Sequence, residues 1–194
     1  MALAVLQGLK DQDLPQEVLD DENLTLTLPR RLGLSNVVET QIRRFREDAR
    51  KGRRITDREI ADLISLVGRR PDAAEVFLRV GADLHGRGGR TGWRRLLPRR
   101  LAYALARRRT RQRLRGLFGR RMVSSEGTPF RLEALDDLLT VSDPKGDACA
   151  IVTGLARTEL SRVGAEAQLL VHLHCRAEGD DACIWDVEGE GAQE

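Results

Sequence analysis

The chain has 194 residues, with a hydrophobic fraction of 41% and an aromatic fraction of 4%, which suits one domain whose core is built from Leu, Val, Ala and Ile. The absence of a run of roughly 20 apolar residues argues against a membrane span, and the opening turns acidic too early for a secretory signal, so we expect a cytoplasmic protein. Three cysteines are too few for a disulfide framework, which directs attention to their spacing.

The formal net charge of +3 conceals a strong asymmetry along the chain. Residues 84–125 include 14 arginines and no acidic residue, whereas residues 122–194 include 15 acidic and 5 basic residues. This pattern predicts either two surfaces that attract each other or a basic patch that meets an acidic partner.

The first 69 residues are predicted to form an N-terminal arm, 1–34, and a helical extension, 35–69. In the arm, the alternating Leu24, Leu26 and Leu28 predict a short strand that ends at Pro29. The extension is expected to contain two amphipathic helices. The first begins near Ser35 and the second begins at a capping box, Thr56 to Glu59, and ends at Gly68.

Residues 70–188 are predicted to form the main domain, and residues 189–194 a disordered tail. A helix is expected to begin at Pro71, followed by a basic helix for which Pro98 marks the start or a kink. A hairpin is expected around residues 126–129, and a helix that ends at Gly164 is expected to precede two final strands.

The three cysteines follow the pattern C-x25-C-x7-C. Cys149 is predicted at the head of a helix, Cys175 at the end of one strand and Cys183 at the start of the next, so the three thiols can converge. Tetrahedral zinc binds four such sulfur or nitrogen ligands. The alternatives are three thiols that pack as small hydrophobic groups and, less favoured, a single catalytic cysteine.

The same region resembles the 4-vinyl-reductase domain family, in which a helix with a leading cysteine precedes C-x-x-x-G-[DN]-x-x-C and an aromatic-containing strand. Gly154, Gly179, Asp180 and Trp185 occupy matching places. The resemblance covers about residues 70–188. It implies an α/β (α+β) fold with an antiparallel sheet packed against helices, related to vesicle-tethering (TRAPP) subunits and to hydrocarbon-sensing domains of regulators, and it implies a homodimer.

In metal-containing members of that family, three cysteines and an acidic residue three positions before the middle cysteine bind zinc. The resemblance therefore implies a structural zinc site formed by Cys149, His172, Cys175 and Cys183. Strand alternation places His172 and Cys175 on opposite faces unless the strand bends or bulges. His174 and Glu178 accordingly remain alternative fourth ligands.

By the same resemblance, we expect the domain to bind a hydrophobic small molecule, an aromatic hydrocarbon or a tetrapyrrole precursor, as a sensor or carrier. One alternative is a ligand-free interaction scaffold. The other is an accessory role in vinyl reduction of bacteriochlorophyll precursors, which is less favoured because no hydride source is evident. The candidate pocket residues are apolar or aromatic: Phe77, Val80, Trp93, Tyr103, Leu105, Leu117, Phe118 and Phe130.

The basic helix is predicted to present a positively charged surface. Its expected counterpart is acidic protein surface, either Asp136, Asp137, Asp180 and Asp181 or those of a second copy, with an anionic membrane or ligand as the alternative. Nucleic acid is less favoured because no recognisable binding motif accompanies the arginines. The surface residues are Arg99, Arg100, Arg107, Arg108, Arg111 and Arg115.

Overall fold

The computed structural model describes residues 1–12, 36–53, 56–84, 98–118, 122–123, 130–134, 138–165 and 167–187. These residues form seven α-helices: α1 Ala2–Gln12, α2 Asn36–Arg50, α3 Asp57–Val67, α4 Ala73–Asp83, α5 Arg99–Phe118, α6 Leu138–Ser142 and α7 Ala150–Arg162. Four strands accompany them: β1 Met122–Val123, β2 Arg131–Ala134, β3 Leu170–His174 and β4 Cys183–Val187. The strand predicted at residues 24–28 lies outside the described residues, as do the turn at 126–129 and the tail.

The four strands form one sheet in the order β1-β2-β4-β3, and every neighbouring pair is antiparallel. One face of the sheet is buried against the helices through Leu132, Leu170 and Trp185. The predicted mixed α and β class, with an antiparallel sheet packed against helices, is confirmed at this level. Among the described residues, no helix combines the length and apolar character needed to cross a membrane.

Local sequence signals account for the helix boundaries. The hydroxyl of Thr56 accepts a hydrogen bond from the backbone N–H of Glu59 at 3.2 Å, and the Glu59 carboxylate accepts one from the backbone N–H of Thr56 at 3.0 Å. This is the predicted capping box. Pro98 immediately precedes α5, as expected for a residue without a backbone donor at a helix start.

A helix within the predicted arm was not anticipated. In α1, the side chains of Ala2, Val5, Leu6 and Leu9 are buried, and α1 packs against α2, α3 and α4. These four residues follow the i, i+3, i+4, i+7 spacing of an amphipathic helix. The sequence signal was therefore present, although it spans only 11 residues.

Helices α4 and α7 cross at two glycines. A Cβ atom added to Gly81 would collide with the backbone carbonyl of Ile151, and one added to Gly154 would collide with the carbonyl of Leu78. The two backbones can approach this closely because neither glycine carries a side chain. This crossing sets the position of the start of α7, where Cys149 lies.

Candidate metal centre

Four residues that are distant in sequence converge at one end of the sheet. One ligand atom from each of Cys149, His172, Cys175 and Cys183 lies within 4.8 Å of the others. The Cys149 and Cys183 sulfurs are 3.7 Å apart, and all three cysteines are free thiols that are buried. The four residues predicted as ligands therefore do come together and can hold a metal ion.

Cys149 is positioned by a tight turn that leads into α7. The buried carboxylate of Asp143 accepts hydrogen bonds from the backbone N–H of Ala148 at 2.7 Å and of Lys145 at 3.3 Å. Gly146 has a left-handed φ of +82°, and a Cβ atom added there would lie 3.0 Å from the Cys175 sulfur. Asp143 and Gly146 thus shape the site, and sequence analysis did not assign them this role.

A β-bulge in β3 resolves the predicted conflict between His172 and Cys175. His172 pairs with Trp185 and His174 pairs with Ile184, so Leu173 is an extra residue in the strand. An inserted residue shifts the alternation of side chains by one position. His172 and Cys175 consequently reach the same cluster, as expected for a strand that contains a bulge.

The turn between β3 and β4 holds its two cysteines together by backbone hydrogen bonds. The Asp180 carboxylate accepts a hydrogen bond from the backbone N–H of Cys175 at 2.7 Å. The backbone N–H of Arg176 donates to the Cys183 sulfur at 3.4 Å. Gly179 adopts a φ of +101°, a conformation that glycine accepts without strain. The turn is therefore preorganised to present both sulfurs.

The three thiols differ in the direction of their pKa shifts. The hydrogen bond from the Cys149 thiol lowers the pKa of Cys183 to about 4, and His172 and the Arg176 N–H act in the same direction. The same hydrogen bond raises the pKa of Cys149, with burial adding to the effect. Burial also raises the pKa of Cys175. The hydrogen bond between Cys149 and Cys183 therefore favours the thiolate at Cys183 and the protonated thiol at Cys149.

The His172 ring is held by stacking. Its centroid lies 4.6 Å from that of Trp185, with the planes 11° apart, and the Trp185 indole N–H donates to the Thr153 hydroxyl at 3.0 Å. Within the described part of the chain, the buried Nε2 of His172 has no hydrogen-bond partner. Trp185 therefore orients the imidazole that lies against the three thiols.

The alternative fourth ligands lie outside the cluster. His174 is exposed, and its Nδ1 is 3.4 Å from the Asp180 carboxylate. Glu178 is also exposed, on the turn between the strands. The geometry therefore favours His172 over both residues.

The predicted pocket residues occupy the hydrophobic core. Phe77, Val80, Tyr103, Phe118 and Phe130 are buried and belong to one cluster, against which Leu105 and Leu117 pack partly buried. Trp93 lies outside the described residues. The pocket itself stays a prediction.

The predicted basic residues lie along α5, and four of them share a groove. Arg107, Arg108, Arg111 and Arg115, with Ala104 and Gln112, line a groove of about 480 Å³. Arg99 stacks over the ring of Tyr103 at 5.6 Å, and Arg100 is exposed. Of the expected acidic counterparts, Asp180 and Asp181 are exposed on the β3–β4 turn, and Asp136 and Asp137 lie outside the described residues.

No protein-family model, curated protein or solved structure matches the chain. The likeness to 4-vinyl-reductase domains consequently rests on the cysteine pattern and the glycine, aspartate and tryptophan positions given above.

Proposed function

We propose that the chain is a zinc-containing domain of the 4-vinyl-reductase type that binds a hydrophobic small molecule as a sensor or carrier. The observation that carries the metal part is the convergence of three buried thiols and the His172 imidazole within 4.8 Å. The second support is the buried Nε2 of His172, which has no hydrogen-bond partner among the described residues. A buried polar atom without a partner costs free energy that coordination would recover.

The donor set suits zinc. Three sulfurs and one imidazole nitrogen match a structural tetrahedral site, whereas magnesium and calcium prefer oxygen ligands. Zinc–sulfur bonds of about 2.3 Å place two sulfurs of a tetrahedron about 3.8 Å apart. The Cys149 and Cys183 sulfurs, at 3.7 Å, already have this separation.

The role proposed for the metal is structural. Four protein ligands fill a tetrahedral zinc ion and leave no position for a reactive water molecule. Coordination would join the start of α7, at Cys149, to the β3–β4 turn, at Cys175 and Cys183. Among the described contacts, packing and a weak contact between the Cys149 and Cys183 sulfurs already join these parts.

The small-molecule part of the proposal rests on the family resemblance. Such a ligand would have to enter the apolar cluster in which Phe77 of α4 and Tyr103 of α5 meet Phe130, the residue before β2. Apolar and aromatic side chains of this kind line most small-molecule sites.

The metal is tested by elemental analysis of the purified protein and of three variants. We expect one zinc per chain in the wild type, loss of zinc in Cys175→Ser, and reduced occupancy in His172→Ala. His174→Ala is the matched control, because it removes an imidazole from the same strand but outside the cluster, and it should retain full occupancy. A metal-free wild-type protein, or zinc loss confined to His174→Ala, would disprove the proposed site.

The small molecule is tested by comparing native and denaturing mass spectra and by solvent extraction of the purified protein. A reproducible extra mass that extracts into organic solvent would support a carrier or sensor. Protein that carries no compound, and whose melting temperature is unchanged by aromatic hydrocarbons and tetrapyrroles, would favour the interaction scaffold instead.

A further inference from the structure

Helix α5 carries many positive charges and no negative ones. It contains eight arginines in 20 residues and no acidic residue. Its buried side is formed by Ala102, Ala106, Thr110, Leu114 and Phe118, each four residues from the next. Arg113 reaches the buried Glu159 carboxylate, and the other arginines lie on the remaining surface of the helix.

Four of these arginines line one groove on α5. Arg107, Arg111 and Arg115 follow one another at intervals of four residues, so their backbones rise by about 6 Å per step. Like charges at this spacing destabilise a helix. Arg108 and Arg115 are exposed, so their guanidinium groups are accessible to a ligand. A bound anion would add countercharge beside the exposed guanidinium groups of Arg108 and Arg115.

We propose that this groove binds a small molecule with two or three neighbouring phosphate groups. Guanidinium groups form paired, charge-assisted hydrogen bonds with phosphate oxygens. Several arginines converging on one groove can each contact a different phosphate of the same ligand. The amide of Gln112, which lines the same groove, can both donate to and accept from a neighbouring hydroxyl.

The construction of the groove favours a small ligand over larger anionic partners. The groove volume of about 480 Å³ falls in the range of small-molecule sites. A protein partner would instead cover about 800 Å² of the surface. A membrane-surface helix needs an apolar face, and among the described α5 residues only Leu101 is a large, well-exposed hydrophobic residue. The described lining includes no aromatic ring on which the bases of a nucleic acid strand would stack.

The experiment measures the melting temperature and the dissociation constant with inorganic triphosphate at low ionic strength. Triphosphate should raise the melting temperature by several degrees relative to sodium chloride at equal ionic strength, and the effect should weaken as salt is added. The double variant Arg108→Gln/Arg115→Gln should bind at least about tenfold more weakly. It should melt no lower than the wild type when no ligand is present, because it removes like charges.

The matched control is Arg46→Gln/Arg58→Gln, which removes the same charge from exposed positions on α2 and α3. This variant should bind triphosphate like the wild type. Equal weakening in both double variants, or no shift beyond that of sodium chloride, would overturn the proposal. Both variants should keep their zinc, so a failure of this site is distinguishable from a failure of the metal site.

Two further arms separate the sources of phosphate. Binding to phosphoinositide-containing vesicles that triphosphate displaces would support the proposal and would identify a lipid headgroup as the source. Vesicle binding that triphosphate does not displace would overturn it. Binding of a single-stranded oligonucleotide about a hundredfold tighter than triphosphate would also overturn it, in favour of a nucleic-acid surface.

Discussion

The two ends of α7 bury ionisable groups in different ways. Near its C-terminal end, Glu159 is fully buried, and its carboxylate lies 2.9 Å from Nε of Arg113 and 3.8 Å from a guanidinium nitrogen of Arg162. At its N-terminal end, Cys149 lies in a cluster of three thiols and one imidazole. Two guanidinium groups lie against the buried carboxylate at one end, and three thiols meet an imidazole at the other.

This difference explains why a metal is expected at the cysteine end. A buried charge is costly unless it is paired, so a protein either provides the opposite charge or keeps the group neutral. Around Glu159 two arginines provide that charge. In the cluster, the raised pKa values of Cys149 and Cys175 keep two thiols protonated. A cation from solution would take the place of these protons.

Of the changes at the two ends of α7, removal of a cysteine ligand should have the largest effect on stability. Cys175→Ser should lower the free energy of unfolding by at least about 3 kcal/mol, because binding to a structural zinc site is coupled to folding. Thermal or denaturant unfolding measures the change. A chelator should bring the wild type down to the stability of the variant and should leave the variant unchanged. Equal stability of wild type and variant before chelation would contradict a metal-coupled fold.

At the other end of α7, the two partners of the ion pair should differ in their importance. Arg113→Met should cost about 3 kcal/mol of stability, because it leaves a buried carboxylate with one distant partner. Glu159→Met should cost less than about 1 kcal/mol, because an apolar side chain of similar size can replace a buried charge and Arg113 can turn toward water. Urea unfolding measures both variants. A larger cost for Glu159→Met would show that the arginine side chain cannot relax in this way.

Zinc affinity should fall steeply with decreasing pH. The pKa values of Cys149 and Cys175 are raised, so both thiols hold protons at neutral pH and must lose them when the metal binds. Lower pH therefore favours the metal-free form. Two displaced protons correspond to about a hundredfold loss of affinity per pH unit. Cys183, with a pKa of about 4, adds nothing between pH 6 and 8. Competition with a chromophoric chelator measures this slope, and a flat profile would contradict it.

The smallest expected effect concerns Asp180, which acts on the cluster through the backbone of Cys175. Asp180→Ala should weaken zinc binding by roughly tenfold, as loss of a supporting hydrogen bond does in other metal sites. Asp180→Asn should bind nearly as the wild type does, because an amide oxygen can accept the same hydrogen bond from Cys175. Asp181→Ala, on the same turn, serves as the control. If Asp180→Asn loses as much affinity as Asp180→Ala, the carboxylate acts through its charge instead.

Several features of the fold and of the site could be predicted because they depend on neighbouring residues. The capping box at Thr56 and Glu59, the start of α5 after Pro98 and the amphipathic spacing in α2 and α4 are local signals. The same holds for the Gly179 turn that brings Cys175 and Cys183 together. Helix α1 has a comparable signal, but its apolar pattern spans barely three turns, so the sequence predicts only an arm there.

By itself, the sequence determined the donor types of the cluster, three sulfurs and one imidazole nitrogen, which are ligands for transition metals such as zinc. Only the tertiary structure decided which histidine joins it, because the bulge at Leu173 depends on how β3 pairs with β4. The sequence likewise did not predict the helix crossing at Gly81 and Gly154 or the ion pair between Arg113 and Glu159. Each depends on contacts between residues that are far apart in the chain, and periodicity and spacing carry no information about such contacts.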